Sequence, residues 1–314
     1  MRFAISIPQF IDHGKFNPAA FRSFMKRAEE LPFESAWVGE QIIGTMPELG
    51  PIETLTYAAA VTERIRLGSA MFVLPLYSPL HLAKSLSSLD HLSGGRLEVG
   101  ITVGGRFRMF SAFAVDPSTL VARFTEQVRL LEALWSQPRV NFEGRFWQLR
   151  DAAMEPKPVQ KPRPPLWFGA SHPAALERAV MLGDGFMGAG SQTIAQFVDQ
   201  ANVVKKALQT QHRDPSTFRI AKRVYVAVDD DRRRAKQRLD DALNRMYGYF
   251  RIPNLDQLGL AGTADDCVKA LLEVQAAGAE LILFNPLFDD AEQMERLVAD
   301  VMPHLSDQAI SGAA

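Results

Sequence analysis

Short apolar runs alternate with amphipathic stretches along the whole chain. The runs are only a few residues long and apolar on both faces, which predicts strands that are buried on both sides of a sheet. They lie at residues 3–7, 35–38, 65–74, 97–101, 166–170, 185–189, 219–228 and 281–285. The stretches between them carry apolar residues at helical spacing, so each strand is expected to precede a helix.

The first helix shows how these stretches are recognised. Asn17 is a typical N-cap residue, and Pro18 suits the first helical position. The apolar residues that follow share one helix face: Phe21, Phe24, Met25 and Ala28. Further helices are predicted at residues 52–62, 79–92, 173–182, 193–210, 264–277 and 291–305.

Two fold classes accept about eight strand–helix units. A doubly wound sheet usually has about six strands and a glycine-rich fingerprint at its first turn, but that turn here reads Pro8-Gln9-Phe10. A (β/α)8 barrel, the TIM barrel, takes all the units and needs no fingerprint. The sequence therefore predicts an α/β protein with a single barrel over residues 1–310 and a frayed tail at 311–314.

A barrel needs about 250 residues, which leaves about 60 to be placed. They fall after the fourth strand, at residues 104–165, where a hairpin-like alternation around Glu143-Gly144 precedes a proline-rich stretch. We expect an insertion that forms a lid on the barrel rather than a second domain. Its residues 106–154 are expected to supply walls of the substrate site.

Composition and charge exclude several functions. Lys and Arg number 35 against 36 Asp and Glu, a net charge of −1, so no global field attracts nucleic acid or an anionic membrane. Cys267 is the only cysteine, which excludes a disulfide framework. No apolar run reaches the roughly 18–20 residues of a membrane helix, and the first residues lack the pattern of a signal peptide. We expect a cytoplasmic protein.

The active site of a barrel lies at the carboxyl ends of its strands. There, Gly169-Ala170-Ser171-His172-Pro173 combines a turn of small residues with a proline that opens a helix. Free N–H groups and the helix dipole would attract an anion such as phosphate. A simple helix cap explains the same residues, so both interpretations stay open on these grounds.

Acids and bases are sparse at the other strand ends. Glu40 follows the second strand and could orient a ring or transfer a proton. Lys222, in the seventh strand, is a weaker candidate for a Schiff-base lysine. No histidine pair has metal-ligand spacing, so no metal site is expected. A rim rich in Phe, Met, Leu and Gly indicates either plain core packing or a bound cofactor that carries the chemistry.

A set of short motifs extends over nearly the whole chain. The most specific is Leu92-Ser93-Gly94-Gly95-Arg96-Leu97, and others lie at residues 62–68, 74–79, 142–146, 156–160, 164–169 and 182–185. Together they resemble the luciferase-like monooxygenase family. That family has a (β/α)8 barrel with an insertion after the fourth strand, the same architecture that the periodicity predicts.

The resemblance implies a bound flavin cofactor, either reduced FMN or the deazaflavin F420. Its ring would pack on Ala70 and Met71, where family members often have a backbone bulge with an unusual peptide. Thr102 would line the ring edge, and the phosphate would lie on the three residues Gly169, Ala170 and Ser171. The resemblance also implies a small-molecule substrate, a separate flavin reductase if FMN is used, and a homodimer.

Three positions depart from the family pattern. Gln41 follows Glu40 where a histidine is common, Ser78 replaces a frequent histidine, and Gly104-Gly105 stands where F420 enzymes often have Glu. The remaining polar candidates for catalysis are Glu40, Gln41 and Ser78. We favour a monooxygenase that uses reduced FMN and oxygen. The alternatives are F420-dependent hydride transfer and a flavin-binding barrel without catalytic activity.

Overall fold

The fold is seen in a computed structural model, which describes residues 1–11, 15–44, 46–105, 110–247 and 254–306. Strands in these ranges are β1 (Arg2–Ser6), β2 (Ser35–Val38), β3 (Arg66–Ser69), β4 (Phe72–Val73), β5 (Leu97–Thr102), β6 (Val140–Glu143), β7 (Gln148–Ala152), β8 (Leu166–Gly169), β9 (Gly185–Gly188), β10 (Arg219–Val228), β11 (Leu260–Gly262) and β12 (Leu281–Asn285). The helices are α1 (Pro18–Glu30), α2 (Pro51–Val61), α3 (Pro79–Leu92), α4 (Leu120–Ser136), α5 (Pro173–Leu182), α6 (Ile194–Thr210), α7 (Arg232–Tyr247), α8 (Ala264–Ala276), α9 (Asp290–Arg296) and α10 (Met302–Ser306).

Eight parallel strands of the described chain close into a barrel. The order is β1, β2, β3, β5, β8, β9, β10 and β12, and β12 pairs with β1 to complete the ring. Arg2 lies opposite Leu281 where β12 meets β1, and Arg219 lies opposite Gly185 where β10 meets β9. Helices alternate with these strands along the chain, which confirms the predicted (β/α)8 barrel.

Helix boundaries follow the local signals in the sequence. The Oδ1 atom of Asn17 accepts hydrogen bonds from the N–H groups of Ala19 and Ala20 at 3.1 Å each, so it is the N-cap of α1. All four apolar residues predicted for the inner face of α1 are buried. A proline also opens α2, α3 and α5, where the missing N–H group costs no intrahelical bond.

Two tryptophans fill the middle of the barrel. Trp37 and Trp167 are each 1% exposed and meet edge to face, with ring centroids 5.8 Å apart. A β-carbon at Gly68 would come within 2.3 Å of the Trp37 ring, so only glycine leaves room for it. The indole N–H of Trp167 donates to buried Glu98, which also accepts from Arg66. This layer closes the barrel below the carboxyl ends of its strands.

Two details differ from the sequence predictions. The third strand was expected to be continuous from 65 to 74, but it is interrupted between β3 and β4, and the Ala70-Met71 peptide bond is cis. The interruption lies at the bulge position that the family resemblance implied. β11 was not predicted, because three residues are too short for a periodicity; it pairs with the carboxyl end of β10.

The expected hairpin is present as the antiparallel pair β6 and β7. It packs on the outer side of α4, where the carboxylate of Glu126 accepts the N–H groups of residues Arg145, Phe146 and Trp147 at 2.8–2.9 Å. The division into a barrel at 1–310 and a lid at 104–165 stays a prediction. The tail at 311–314 lies outside the described residues. No described helix has both the length and the apolar character required to cross a membrane.

Candidate active site

A cavity of about 500 Å³ opens at the carboxyl ends of the barrel strands. All six residues predicted to bind a cofactor line it: Ala70, Met71, Thr102, Gly169, Ala170 and Ser171. They come from three different strand ends, which the barrel closure brings together. The walls also include Val73, Val103, Met187 and Ala189, so the cavity is mostly apolar with a few polar groups.

One wall of the cavity has the features of an anion site. Gly169, Ala170 and Ser171 lead into the N-terminus of α5, where the imidazole Nδ1 of His172 accepts the N–H of Ala174 at 3.3 Å. Arg178, one and a half turns into α5, lines the same cavity and has no hydrogen bond or ion pair among the described residues. The helix dipole and this free guanidinium both favour a negative group here. The sequence prediction did not include Arg178. It lies three residues after Ala175, which also lines the cavity, so the two share one helix face.

A second wall is formed where the third strand is interrupted. Ser69 exchanges two hydrogen bonds with the backbone of Gly100, at 2.9 and 3.0 Å, and this ties β3 to β5 beside the interruption. Thr102 donates to the carbonyl of Gly169 at 3.0 Å, which ties the same wall to the anion site. Met71 and Thr102 are therefore held by the barrel itself rather than by a mobile loop.

Glu40 lies behind this wall and forms a hydrogen bond with Val73, which lines the cavity. Its Oε1 atom accepts the N–H of Val73 at 3.0 Å, and its Oε2 atom accepts the hydroxyl of Tyr77 at 2.6 Å. Burial raises the pKa of Glu40 to about 7, against the lowering effect of both hydrogen bonds. A carboxyl group with this pKa can take up or release a proton near neutral pH.

None of the three predicted catalytic residues is among those that line the cavity, and Gln41 and Ser78 also lack the contact with its wall that Glu40 makes through Val73. Gln41 turns into its own loop, where its Oε1 accepts the N–H of Met46 at 3.3 Å. Ser78 is exposed at the start of α3, and its side chain does not cap the helix. The structure thus brings Glu40 near the cofactor-binding candidates and leaves Gln41 and Ser78 apart from them. The catalytic roles of all three stay predictions.

Sequence reasoning missed a polar group on the side of the cavity formed by β10. Arg223 and Tyr225 alternate with outward-facing residues on β10 and line the cavity, together with Tyr247 from the end of α7. The strand period of two was the signal that could have found them, because it places residues 221, 223 and 225 on the inner face. From the sequence alone, the adjacent charges of Lys222 and Arg223 suggest a place where side chains leave the sheet.

Lys222 faces away from the main cavity. Its Nζ atom donates to the carbonyls of Ala189 and Gln192, at 2.5 and 2.9 Å, and thereby holds the loop after β9. Burial, with the charge of Arg223, lowers its pKa to about 7. The geometry favours a role in positioning this loop over the Schiff-base role. Cys267 is buried in α8, where burial raises the pKa of its thiol to about 12, so it stays protonated.

These features define a barrel with two kinds of surface at its carboxyl end. One is an anion cradle, formed by Gly169, Ala170, Ser171 and Arg178, and the other is the apolar cup that the remaining cavity walls form. This form is typical of cofactor-binding oxidoreductases. Residues 1–253 match the model of the luciferase-like monooxygenase family, and the chain belongs to that family. As a member of this family, the chain is a luciferase-like oxidoreductase.

Known relatives include enzymes that use either of the two predicted cofactors. The chain is 31% identical, over 55% of its length and 53% of the relative's, to an F420-dependent glucose-6-phosphate dehydrogenase of Kineococcus radiotolerans. It is 27% identical, over 58% and 50%, to an FMNH2-dependent dimethylsulfone monooxygenase of Pseudomonas putida. The matched part of the chain thus spans about half the length of each of these two curated relatives. A solved structure of a monooxygenase from Streptomyces bottropensis shares the fold, with a TM-score of 0.83, 24% identity and coverage of 98% and 100%.

Proposed function

We propose that this protein is a monooxygenase of the luciferase-like family that uses reduced FMN and oxygen on a small organic substrate. The observation that carries the proposal is the cavity that joins the anion cradle at Ser171 and Arg178 to the apolar wall at Met71. A phosphate and a flat ring on one cofactor require this combination of surfaces.

The residues present fit such a cofactor. A β-carbon at Gly169 would come within 3.1 Å of the Met71 side chain, so the glycine keeps the passage between cradle and wall open. The free guanidinium of Arg178 lacks a partner among the described residues and would pair with a phosphate. Bound in this way, the flavin would supply the two electrons for the reaction.

The protein's own part in the reaction is to position, to exclude water and to manage a proton. Thr102 and Met71 would hold one edge of the ring, and the apolar walls would limit the access of water. Glu40 would hold a proton at its carboxyl group beside Val73, since its pKa lies near neutrality. The hydroxyl of Tyr77 fixes the orientation of that carboxyl group.

An F420-dependent hydride transfer is the second candidate. Its support is the relative of 31% identity, which is an F420-dependent dehydrogenase. The glycines at 104 and 105, where many F420 enzymes have Glu, count against it. A barrel that binds a flavin without turnover is the third reading, since two common family histidines are replaced by Gln41 and Ser78.

Titration of the purified chain with FMN, reduced FMN and F420, read by quenching of cofactor fluorescence or by calorimetry, tests these functions. We expect the tightest binding for reduced FMN, followed by an oxygen-dependent absorbance transient. Tighter binding of F420 would favour the second candidate. If none of the three binds at micromolar concentration, the proposed function is wrong.

The anion cradle has its own test in Ser171→Asp. A negative charge against the phosphate should weaken cofactor binding about thirtyfold, because an ion-pair or dipole contribution of about 1 kcal/mol turns into a repulsion of similar size, a change of about 2 kcal/mol. Ser23→Asp, which adds the same charge on the exposed side of α1, is the matched control. Equal affinities for the two variants would remove the phosphate from Ser171.

A further inference from the structure

The side of the cavity formed by β10 and α7 carries a pair of phenols. The hydroxyl groups of Tyr225 and Tyr247 share a hydrogen bond, and both residues line the cavity. Tyr225 is 1% exposed, so its ring is part of the packing between β10 and α7. This side lies on other strands than the cradle at Ser171 and leaves the cradle free for the cofactor.

The pair has one hydrogen-bond donor to spare. Two phenols carry two O–H groups, and the bond between them uses one of these protons. The proton of the accepting phenol has no acceptor among the described residues. A donor in a mostly apolar cavity is satisfied only by water or by a ligand.

Arg223 adds two more donors beside the pair. Its guanidinium lies 5.3 Å from the centroid of the Tyr225 ring. Three of its five N–H groups are used: Nε and Nη2 donate to the side-chain oxygen of Asn285, and Nη1 donates to the carbonyl of Ala70 at 3.0 Å. The other two N–H groups have no acceptor in the described part of the chain. The same contacts fix the guanidinium, so these donors have a set direction.

Glu48 lies near the guanidinium of Arg223, although the two form no ion pair among the described contacts. A β-carbon at Gly39 would lie 3.0 Å from Glu48 Oε1 and 4.0 Å from Arg223 Nη2, so the two charged groups flank the same point. Arg223 lowers the pKa of Glu48, although burial, the larger effect, raises it. A second carboxylate brought to this place would face Glu48 as well as Arg223. A neutral acceptor meets the donors without that repulsion.

We infer that Tyr225, Tyr247 and Arg223 form the substrate-recognition site, and that it takes a neutral organic molecule with a hydrogen-bond-accepting oxygen, such as a carbonyl oxygen. The inference deepens the proposed function, because it names the class of substrate that would lie beside the cofactor. The three residues are specificity-determining: they orient the oxygen, and the apolar wall at Met187 takes the remainder of the molecule.

Three small probes of similar shape test this site without any cofactor: acetophenone, ethylbenzene and benzoate. Each is titrated by calorimetry or ligand-observed NMR into the purified chain and into the double variant Tyr225→Phe/Tyr247→Phe. Both phenols are replaced because either one alone could still donate. We expect the double variant to bind acetophenone about fivefold more weakly, the usual effect of one lost hydrogen bond, and ethylbenzene with unchanged affinity.

Controls separate this result from damage to the fold and from failure of the proposed function. Tyr57→Phe removes a hydroxyl that contacts Arg22 on the surface and should leave all three affinities unchanged. The single variant Tyr247→Phe, at the end of α7, serves if the double variant does not fold. It leaves the hydroxyl of Tyr225 free, so acetophenone should still bind more tightly to it than benzoate does.

Two outcomes would overturn the inference. Equal loss of acetophenone and ethylbenzene binding would mean that the phenols only shape the cavity. Tighter binding of benzoate than of acetophenone to the unmodified chain would mean that the site selects an anion. Because no probe needs a cofactor, acetophenone binding can succeed even where the flavin titrations fail.

Discussion

Glu40 offers the sharpest test of how this site handles a proton. Its carboxyl group is enclosed by Val73 and Tyr77, and burial raises its pKa from the ordinary value of 4.5 to about 7. The unfolded chain would keep the ordinary value, so the folded protein binds this proton more tightly between pH 4.5 and 7. The resulting stability is complete below pH 4.5 and is lost as the pH rises through 7.

The size of the effect follows from the shift. A difference of about 2.5 pKa units corresponds to about 3 kcal/mol, of which roughly 2–3 kcal/mol falls between pH 5 and pH 8. Glu40→Gln keeps an oxygen acceptor of the same shape and cannot ionise. The variant should therefore gain about 2–3 kcal/mol of unfolding free energy relative to the unmodified protein when the pH is raised from 5 to 8.

Urea unfolding at pH 5 and pH 8 measures this difference directly. Glu143→Gln is the matched control, because Glu143 is exposed on the hairpin and its replacement should leave the pH dependence as it is. The reasoning fails if Glu40→Gln and the unmodified protein keep the same difference in stability at both pH values. In that case the carboxyl group of Glu40 would be ionised at little cost, and it would not hold a proton beside the cavity near neutral pH.

Two further predictions concern the frame of the site. In Gly100→Ala the new β-carbon would lie 1.8 Å from the backbone carbonyl oxygen of Ser69, so we expect the free energy of unfolding in urea to fall by about 3 kcal/mol or more. Gly105→Ala is the control and should cost little, because a β-carbon there has no atom within 4 Å. Similar losses for both variants would contradict the steric argument. Glu98→Ala leaves the buried indole N–H of Trp167 without its acceptor and removes one partner of the half-buried Arg66 guanidinium. This should cost about 2–3 kcal/mol of unfolding free energy, whereas Glu143→Ala should change it by less than about 0.5 kcal/mol. A mild effect of Glu98→Ala would mean that water replaces the carboxylate.

The fold could be predicted because local signals and periodicity agree throughout the barrel. The sequence predicted α3 and α5 at the residues where the structure has them, since a proline opens each helix and a glycine lies at or just after its end. It predicted β10 correctly from its apolar run. β11 and the interruption between β3 and β4 could not be predicted from the periodicity, because both depend on pairing with neighbouring strands rather than on a pattern of their own.

The site was only partly predictable for the same physical reason. Residues on turns of small side chains, such as Gly169 and Ser171, reveal themselves by their chemistry at a strand end. Arg223 and Tyr247 do not, because their place in the cavity depends on which side chains meet across the barrel. Tyr77 shows the same limit: its partner Glu40 is 37 residues away in the sequence.

The edge-to-face tryptophans in the middle of the barrel have a consequence for the order in which ligands bind and leave. Trp37 and Trp167 fill the interior of the barrel with buried side chains, so a ligand that enters the cavity at the carboxyl end must leave by the same opening. When two ligands enter through one opening, the ligand that binds deeper must bind first and dissociate last. A substrate that binds first would therefore block the entry of a cofactor whose place lies deeper in the cavity.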